Sequence, residues 1–146
     1  MSEHVHKRHN KTLFLYHLVF PVKYRRKVIS APVGQTIRET CLEISDRYEI
    51  NFIEIGTDED HVHFLVQSIP VFSVEKIVRT IKSILGRLIL SRHAEIKHEL
   101  WGGNFWTSGY YANTVGQYGN EEVIKRYVES QGKKYVKIYD EQLHLF

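Results

Sequence analysis

His61, Val62 and His63 put two imidazoles two residues apart, and Phe64, Leu65 and Val66 follow them directly. The run has the length and branching of a short buried strand. Side chains alternate along a strand, so Val62, Phe64 and Val66 share one face while His61, His63 and Leu65 share the other. Two residues along a strand span roughly 6.5 Å between α-carbons, within reach of one divalent metal for both rings. Two half-exposed histidines on a solvated sheet face fit the same pattern. A metal needs more than two ligands, and a helix near the carboxyl end offers candidates. Tyr127 and Gln131 lie four residues apart there and share one helix face. Val123, Ile124 and Val128 surround Tyr127 in sequence, so spacing alone leaves it open between a buried stripe position and a reactive phenol.

The elements that must position these groups can be read along the chain. Residues 1–10 read as a flexible polar arm, and residues 11–20 as an aromatic, β-branched strand stopped by Pro21. Ser30-Ala31-Pro32 starts a helix with the stripe Ile37, Cys41, Ile44 and Tyr48. Ile50 to Gly56 is a second strand, Asp58-Glu59-Asp60 a tight turn, and His61 to Gln67 a third strand forming an antiparallel hairpin with the second. Ser73 caps the next helix, with Glu75 at its positive end and Ile77, Ile81, Ile84, Leu85 and Leu88 as its apolar stripe. Phe105 to Val115 reads as a fourth strand bulged at Gly109, and Asn120 caps a last helix that Gly132 ends. Strand, helix, strand, strand, helix, strand is the ferredoxin-like α+β (βαββαβ) pattern. It predicts an antiparallel sheet with both main helices on one face, a C-terminal helix carrying the tyrosine, and His61 and His63 emerging on the open face.

Composition sets the frame. The chain has 146 residues, 42% of them hydrophobic, which suits a single domain over 1–146 with 120–146 as tyrosine helix and tail. Its formal charge of +3 permits an acidic partner without requiring one. Lys7, Arg8, Lys11, Lys23, Arg25, Arg26 and Lys27 are set against only Glu3 in the first 27 residues, and a second basic cluster spans Lys125 to Lys137. Cys41 is the only cysteine, so no disulfide forms within one copy. No run approaches the ~18 apolar residues of a membrane span, and no apolar leader precedes the first strand. A cytoplasmic protein without membrane association is the expectation.

An ordered set of motifs resembles a known family. The set runs from Tyr16-His17-Leu18-Val19-Phe20 into Lys23-Tyr24-Arg25-Arg26 and Asp60-His61-Val62-His63. It continues through Leu100-Trp101, Phe105-Trp106, Gly109-Tyr110-Tyr111 and Thr114-Val115-Gly116 to Tyr127 and Gln131. Over nearly its whole length the chain is similar to the one-tyrosine HUH transposases, and within them to transposase A of the smallest single-strand insertion sequences. The resemblance implies that His61, His63 and Gln131 ligate a metal and that Tyr127 is the nucleophile. It further implies a homodimer whose tyrosine helix can lie against the partner's histidines, with Gly116 and Gly119 as hinges or as ordinary turn glycines. The substrate it implies is single-stranded DNA with a hairpin at each element end.

The chemistry is coherent with those roles. A phenol is ionised in only about one molecule in a thousand at neutral pH, and a divalent cation assists it by polarising the phosphate. Nitrogen donors favour zinc, manganese or nickel over magnesium, whereas the resemblance points to Mg2+ or Mn2+. Lys23, Arg25, Arg26, Arg79 and Lys82 are candidates to track DNA phosphates. The alternative is a non-catalytic module on the same fold that binds single-stranded RNA or a DNA hairpin. An RNA-recognition motif would carry its aromatic signature on the central strands, where His61 and His63 stand instead. A histidine-triad nucleotide hydrolase needs a third histidine where Leu65 stands, and one cysteine argues against a structural zinc module.

Overall fold

The computed structural model describes residues 5–7, 10–12, 14–100, 103–115 and 134–136. In chain order the elements are β1 (Val5–Lys7), β2 (Asn10–Thr12), β3 (Phe14–Pro21), a single 3-10 turn (Lys23–Arg25), α1 (Ala31–Arg47), β4 (Asn51–Thr57), β5 (His61–Ser68), α2 (Val74–Arg92), α3 (Ala94–Leu100), β6 (Tyr111–Val115) and β7 (Lys134–Val136). β3 to β6 with α1 and α2 give the expected βαββαβ order, and the sheet runs β6-β3-β5-β4-β7 with every neighbouring pair antiparallel. The fold is the ferredoxin-like one. The C-terminal tyrosine helix expected over 120–132 lies outside the described residues.

Alternation decides which residues meet the helices. Leu18 and Phe20 of β3, with Val62, Phe64 and Val66 of β5, enter one large core beneath α1 and α2. α1 contributes Val33, Ile37, Cys41 and Ile44, and α2 contributes Ile77, Val78, Ile81, Leu85 and Ile89. Tyr48 leaves the α1 stripe, because it takes extended backbone as the C-cap and is 40% exposed. Ser73 caps α2 by accepting from the Lys76 amide at 3.1 Å, whereas Ser30 makes no side-chain cap bond at α1.

Three expectations need correction. The N-terminal arm is not wholly irregular, since Val5–Lys7 pairs with Asn10–Thr12 as a separate two-stranded ladder. The strand predicted over 11–20 accordingly divides, and its sheet portion starts at Phe14. The fourth strand is confined to Tyr111–Val115. Phe105 and Trp106 are instead buried in the core, and their backbone pairs with the segment after β3 only as an isolated bridge, Trp106 to Val22, flanked by the bonds Lys23 N–H to Phe105 O and Thr107 N–H to Pro21 O.

The third correction concerns the sheet face away from α1 and α2. It is not open. Leu15, Ile53 and Leu65 form a second apolar cluster there, joined by Val115, and His17, Glu54, His63 and Gln67 are each 3% exposed or less. A register shift between Phe52 and Glu54 lets Ile53 and Glu54 both serve this face while Phe52 and Ile55 serve the other.

Candidate metal centre

β5 delivers the two imidazoles and the turn before it fixes their entry. The Asp58 amide donates to the His61 carbonyl at 2.9 Å, closing the turn. Val22 and Ile29 donate their amides to the carbonyls of Asp60 and Glu59 at 2.8 and 3.0 Å, which pins the turn to the segment after β3. In that segment Tyr24 and Arg25 adopt left-handed backbone, with φ of 58° and 52°. Such angles cost of order 1–3 kcal/mol each in a non-glycine residue. Arg25 Nε reaches Asp60 Oδ2 at 3.3 Å.

Asp60 in turn holds His61, with Oδ1 2.7 Å from His61 Nδ1. Burial by itself would raise the Asp60 carboxyl, but the hydrogen bond from His61 and the charges of Arg25 and His61 outweigh it and hold the group below its ordinary value. An ionised Asp60 accepts from His61 Nδ1–H, which leaves Nε2 as the nitrogen that could face a metal. A carboxylate behind a ligating histidine is the usual second layer of a metal site.

The His61 and His63 ring centres lie 4.8 Å apart at 73° to each other. A ligating nitrogen about 2.1 Å from a metal puts its ring centre about 3.2 Å away, so two rings on one ion at tetrahedral or octahedral angles stand about 4.5–5.2 Å apart. The observed spacing fits. Among the described residues, no group of three or more His, Cys, Asp or Glu side chains is arranged to hold a metal ion. The two rings alone would supply only part of a metal's ligands. Gln131, the expected third ligand, and Tyr127, the expected nucleophile, lie outside the described residues.

A third histidine joins this group. His17, on β3, puts its Nε2 3.2 Å from His63 Nδ1, and Tyr111 meets the His17 ring edge-on with centres 6.0 Å apart. Burial lowers the His17 pKa, favouring the neutral ring. The sequence places Asp60 in a tight turn and His17 in a strand, and marks neither as a support for the histidine pair. The signal for Asp60 was its place directly before His61. For His17 it was a polar residue on the same strand face as Leu15, legible only once β3 is paired with β5.

The candidate DNA-binding cations separate into two groups. Arg25 belongs to the histidine site through Asp60, and Lys23 lies nearby with its amine 5.2 Å from the Tyr24 ring. Arg26 is exposed beside them. Arg79 and Lys82 line a groove of about 1050 Å³ between α2 and residues 103–110, together with Arg87, Lys97, Trp106 and Tyr110. That groove lies on the helix side of the sheet. The Lys82 ammonium is also engaged structurally, donating to the carbonyls of Thr107 and Gly109 at 2.8 Å each. Burial lowers its pKa.

Comparison with known proteins gives consistent matches. The family described as "Transposase IS200 like" matches residues 10–131. The ISDra2 transposase TnpA of Deinococcus radiodurans is 30% identical over 119 residues, covering 82% of this chain and 84% of that protein. The transposase for insertion sequence element IS200 of Salmonella typhimurium is 26% identical over 116 residues, covering 80% and 75%. Among solved structures, a chain from Deinococcus radiodurans R1 assigned as a transposase superposes with a TM-score of 0.71 at 25% identity, over 88% of this chain and 98% of its own. A REP-associated tyrosine transposase bound to a REP hairpin superposes with a TM-score of 0.56 at 14% identity, over 99% and 74%, and shares the fold.

Proposed function

This chain belongs to the IS200-like transposase family, and we propose that it cuts and rejoins single-stranded DNA at hairpin-bearing element ends through a 5′-phosphotyrosine link. The observation that carries the reading is the pair of imidazoles on β5, spaced for one cation, with His61 oriented by Asp60. The neutral ligand set proposed is His61, His63 and Gln131. It leaves the charge of a bound Mg2+ or Mn2+ uncancelled, so a phosphodiester meets no ligand carboxylate. When bound, that ion would polarise the scissile phosphate and ease departure of the 3′ oxygen.

Tyr127 is the proposed nucleophile. Its phenol oxygen bonds to phosphorus and gives up its proton, the bond from phosphorus to the 3′ oxygen breaks, and that oxygen takes up a proton as it leaves. The phosphodiester energy stays in the tyrosyl link, so another 3′-hydroxyl reverses the step and joins new strands. Lys23 and Arg26 beside the histidine site, and Arg79 and Lys82 in the groove, are proposed to follow the backbone phosphates. A neighbour of the same fold was solved bound to a REP hairpin, which supports a hairpin substrate. We further propose a homodimer in which the tyrosine of one protomer serves the histidines of the other. Among the described residues no helix is long and apolar enough to cross a membrane. Action on DNA in the cytoplasm is proposed from the transposase family.

Incubation with a labelled hairpin strand and Mn2+, followed by a denaturing gel, tests the reading. A protein–DNA adduct is expected from the natural chain, none from Tyr127→Phe, and none from His61→Ala. Both variants should still bind the hairpin. An adduct that persists in Tyr127→Phe removes Tyr127 as nucleophile, and hairpin binding without any adduct from the natural chain favours the non-catalytic module. Mixing the Tyr127 and His61 variants restores one working site only if the site is shared across the dimer.

A further inference from the structure

We propose that His17 is a positioning residue for the metal centre: its Nε2 accepts a hydrogen bond from His63 Nδ1–H and so fixes His63 in the tautomer whose Nε2 ligates. The inference rests on the proposed metal role of His63 and deepens it.

The geometry between the two rings is specific. Their planes are within 10° of parallel and their centres are 5.4 Å apart, with 3.2 Å between His17 Nε2 and His63 Nδ1. Each imidazole nitrogen sits about 1.1 Å from its ring centre, so two rings meeting edge to edge across such a contact would have centres at most about 5.4 Å apart. The observed separation is close to that limit. The centre-to-centre line therefore runs close to both nitrogens. The rings meet edge to edge through these nitrogens, not face to face.

Only one proton lies in that contact, and its placement sets the chemistry. If His17 Nε2 carries it, His63 Nδ1 accepts, and a neutral His63 must carry its own proton on Nε2, where it blocks a metal. If His63 Nδ1 carries it, His63 Nε2 presents a lone pair. The ligating nitrogen of a histidine is thus chosen by the partner of the other nitrogen. His61 has an acceptor of this kind in Asp60. His17 plays the corresponding part for His63 from the neighbouring strand.

The register places the group for this task. His17 is directly opposite Leu65, and His63 is opposite Val19. The two histidines are diagonal neighbours on one face of adjacent strands, close enough for long side chains to meet. Both are 2% exposed, so water is poorly placed to replace the contact.

The test uses imidazole nitrogen NMR on metal-free protein together with Mn2+ titration. In the natural chain His63 should show a protonated Nδ1 and an unprotonated Nε2. His17→Phe should shift His63 to the other tautomer and weaken Mn2+ binding about 10–100-fold, the range for loss of a supporting partner. His17→Gln carries an amide oxygen at similar reach and should restore both readings. Should His17→Phe fail to fold, the tautomer in the natural chain and the affinity of His17→Gln still decide. A natural His63 protonated at Nε2, or a folded His17→Phe with unchanged Mn2+ affinity, overturns the proposal. Failure of the underlying metal reading looks different: Mn2+ affinity would then be indifferent to His61→Ala, whatever the tautomer of His63.

Discussion

Asp60 Oδ1 accepts from His61 Nδ1 at 2.7 Å while its Oδ2 faces Arg25 Nε at 3.3 Å, so one carboxylate links a basic turn to an imidazole. Removing it should cost the site its second layer. Asp60→Ala is expected to weaken Mn2+ binding about 10–100-fold, and Asp60→Asn to weaken it less, because the amide oxygen still accepts. A titration followed by the Mn2+ electron paramagnetic resonance signal reads this directly. Natural affinity in a folded Asp60→Ala protein would remove Asp60 from the site.

Gly86 lies inside α2, where glycine is about 1 kcal/mol worse than alanine. A Cβ there would sit 3.6 Å from Trp106 Cδ1, ordinary contact distance. Gly86→Ala should therefore stabilise the fold by about 0.5–1 kcal/mol, visible as a higher melting temperature. A lower one would mean that Trp106 needs the space.

Lys82 separates a structural role from a DNA role. Its amine ties α2 to the carbonyls of Thr107 and Gly109 in the segment before β6. Hydrogen bonds to charged groups are worth about 1.5–3 kcal/mol. Lys82→Met is expected to lower stability by that order in a urea melt without DNA present. An unchanged midpoint would leave phosphate contact as its remaining role.

Cys41 is fully enclosed, and burial raises its thiol well above the ordinary value of 9.0. Two outcomes follow. A disulfide reagent at neutral pH should react only with unfolded protein, at the rate of global unfolding. The thiol's pKa is raised in the fold, so its contribution to stability is present in full below about pH 9 and is lost as pH climbs towards the folded value. Cys41→Ala should flatten that alkaline decline when melts are compared between pH 8 and 10. Rapid labelling of the native chain would contradict both.

Much of the fold was legible because period and caps agree. The alternation at Val62, Phe64 and Val66 and the cap at Ser73 both appear where local chemistry puts them. What sequence hid was long-range. Phe105 and Trp106 have the composition of a strand, but their backbone makes an isolated bridge to the segment after β3, while Trp106 packs edge-on against Phe20 with centres 5.5 Å apart. α3 is only seven residues and shows just Ile96 and Leu100 as buried positions, too short a period to stand out. The histidine pair was visible as a motif. Its supporting residues were not, because Asp60 acts through a turn pinned by Val22 and Ile29 and His17 acts across a strand register.

β5 is one ribbon with hydrocarbon pressed on both sides, Val62, Phe64 and Val66 against the helices and Leu65 against Leu15 and Ile53. His63 rides between two residues that are 0% exposed. The imidazoles consequently have no loosely attached platform that could open by itself. Amide protons from 62 to 66 should be among the slowest to exchange with deuterium. Warming that frees those protons should release any cation held by the pair in the same cooperative event.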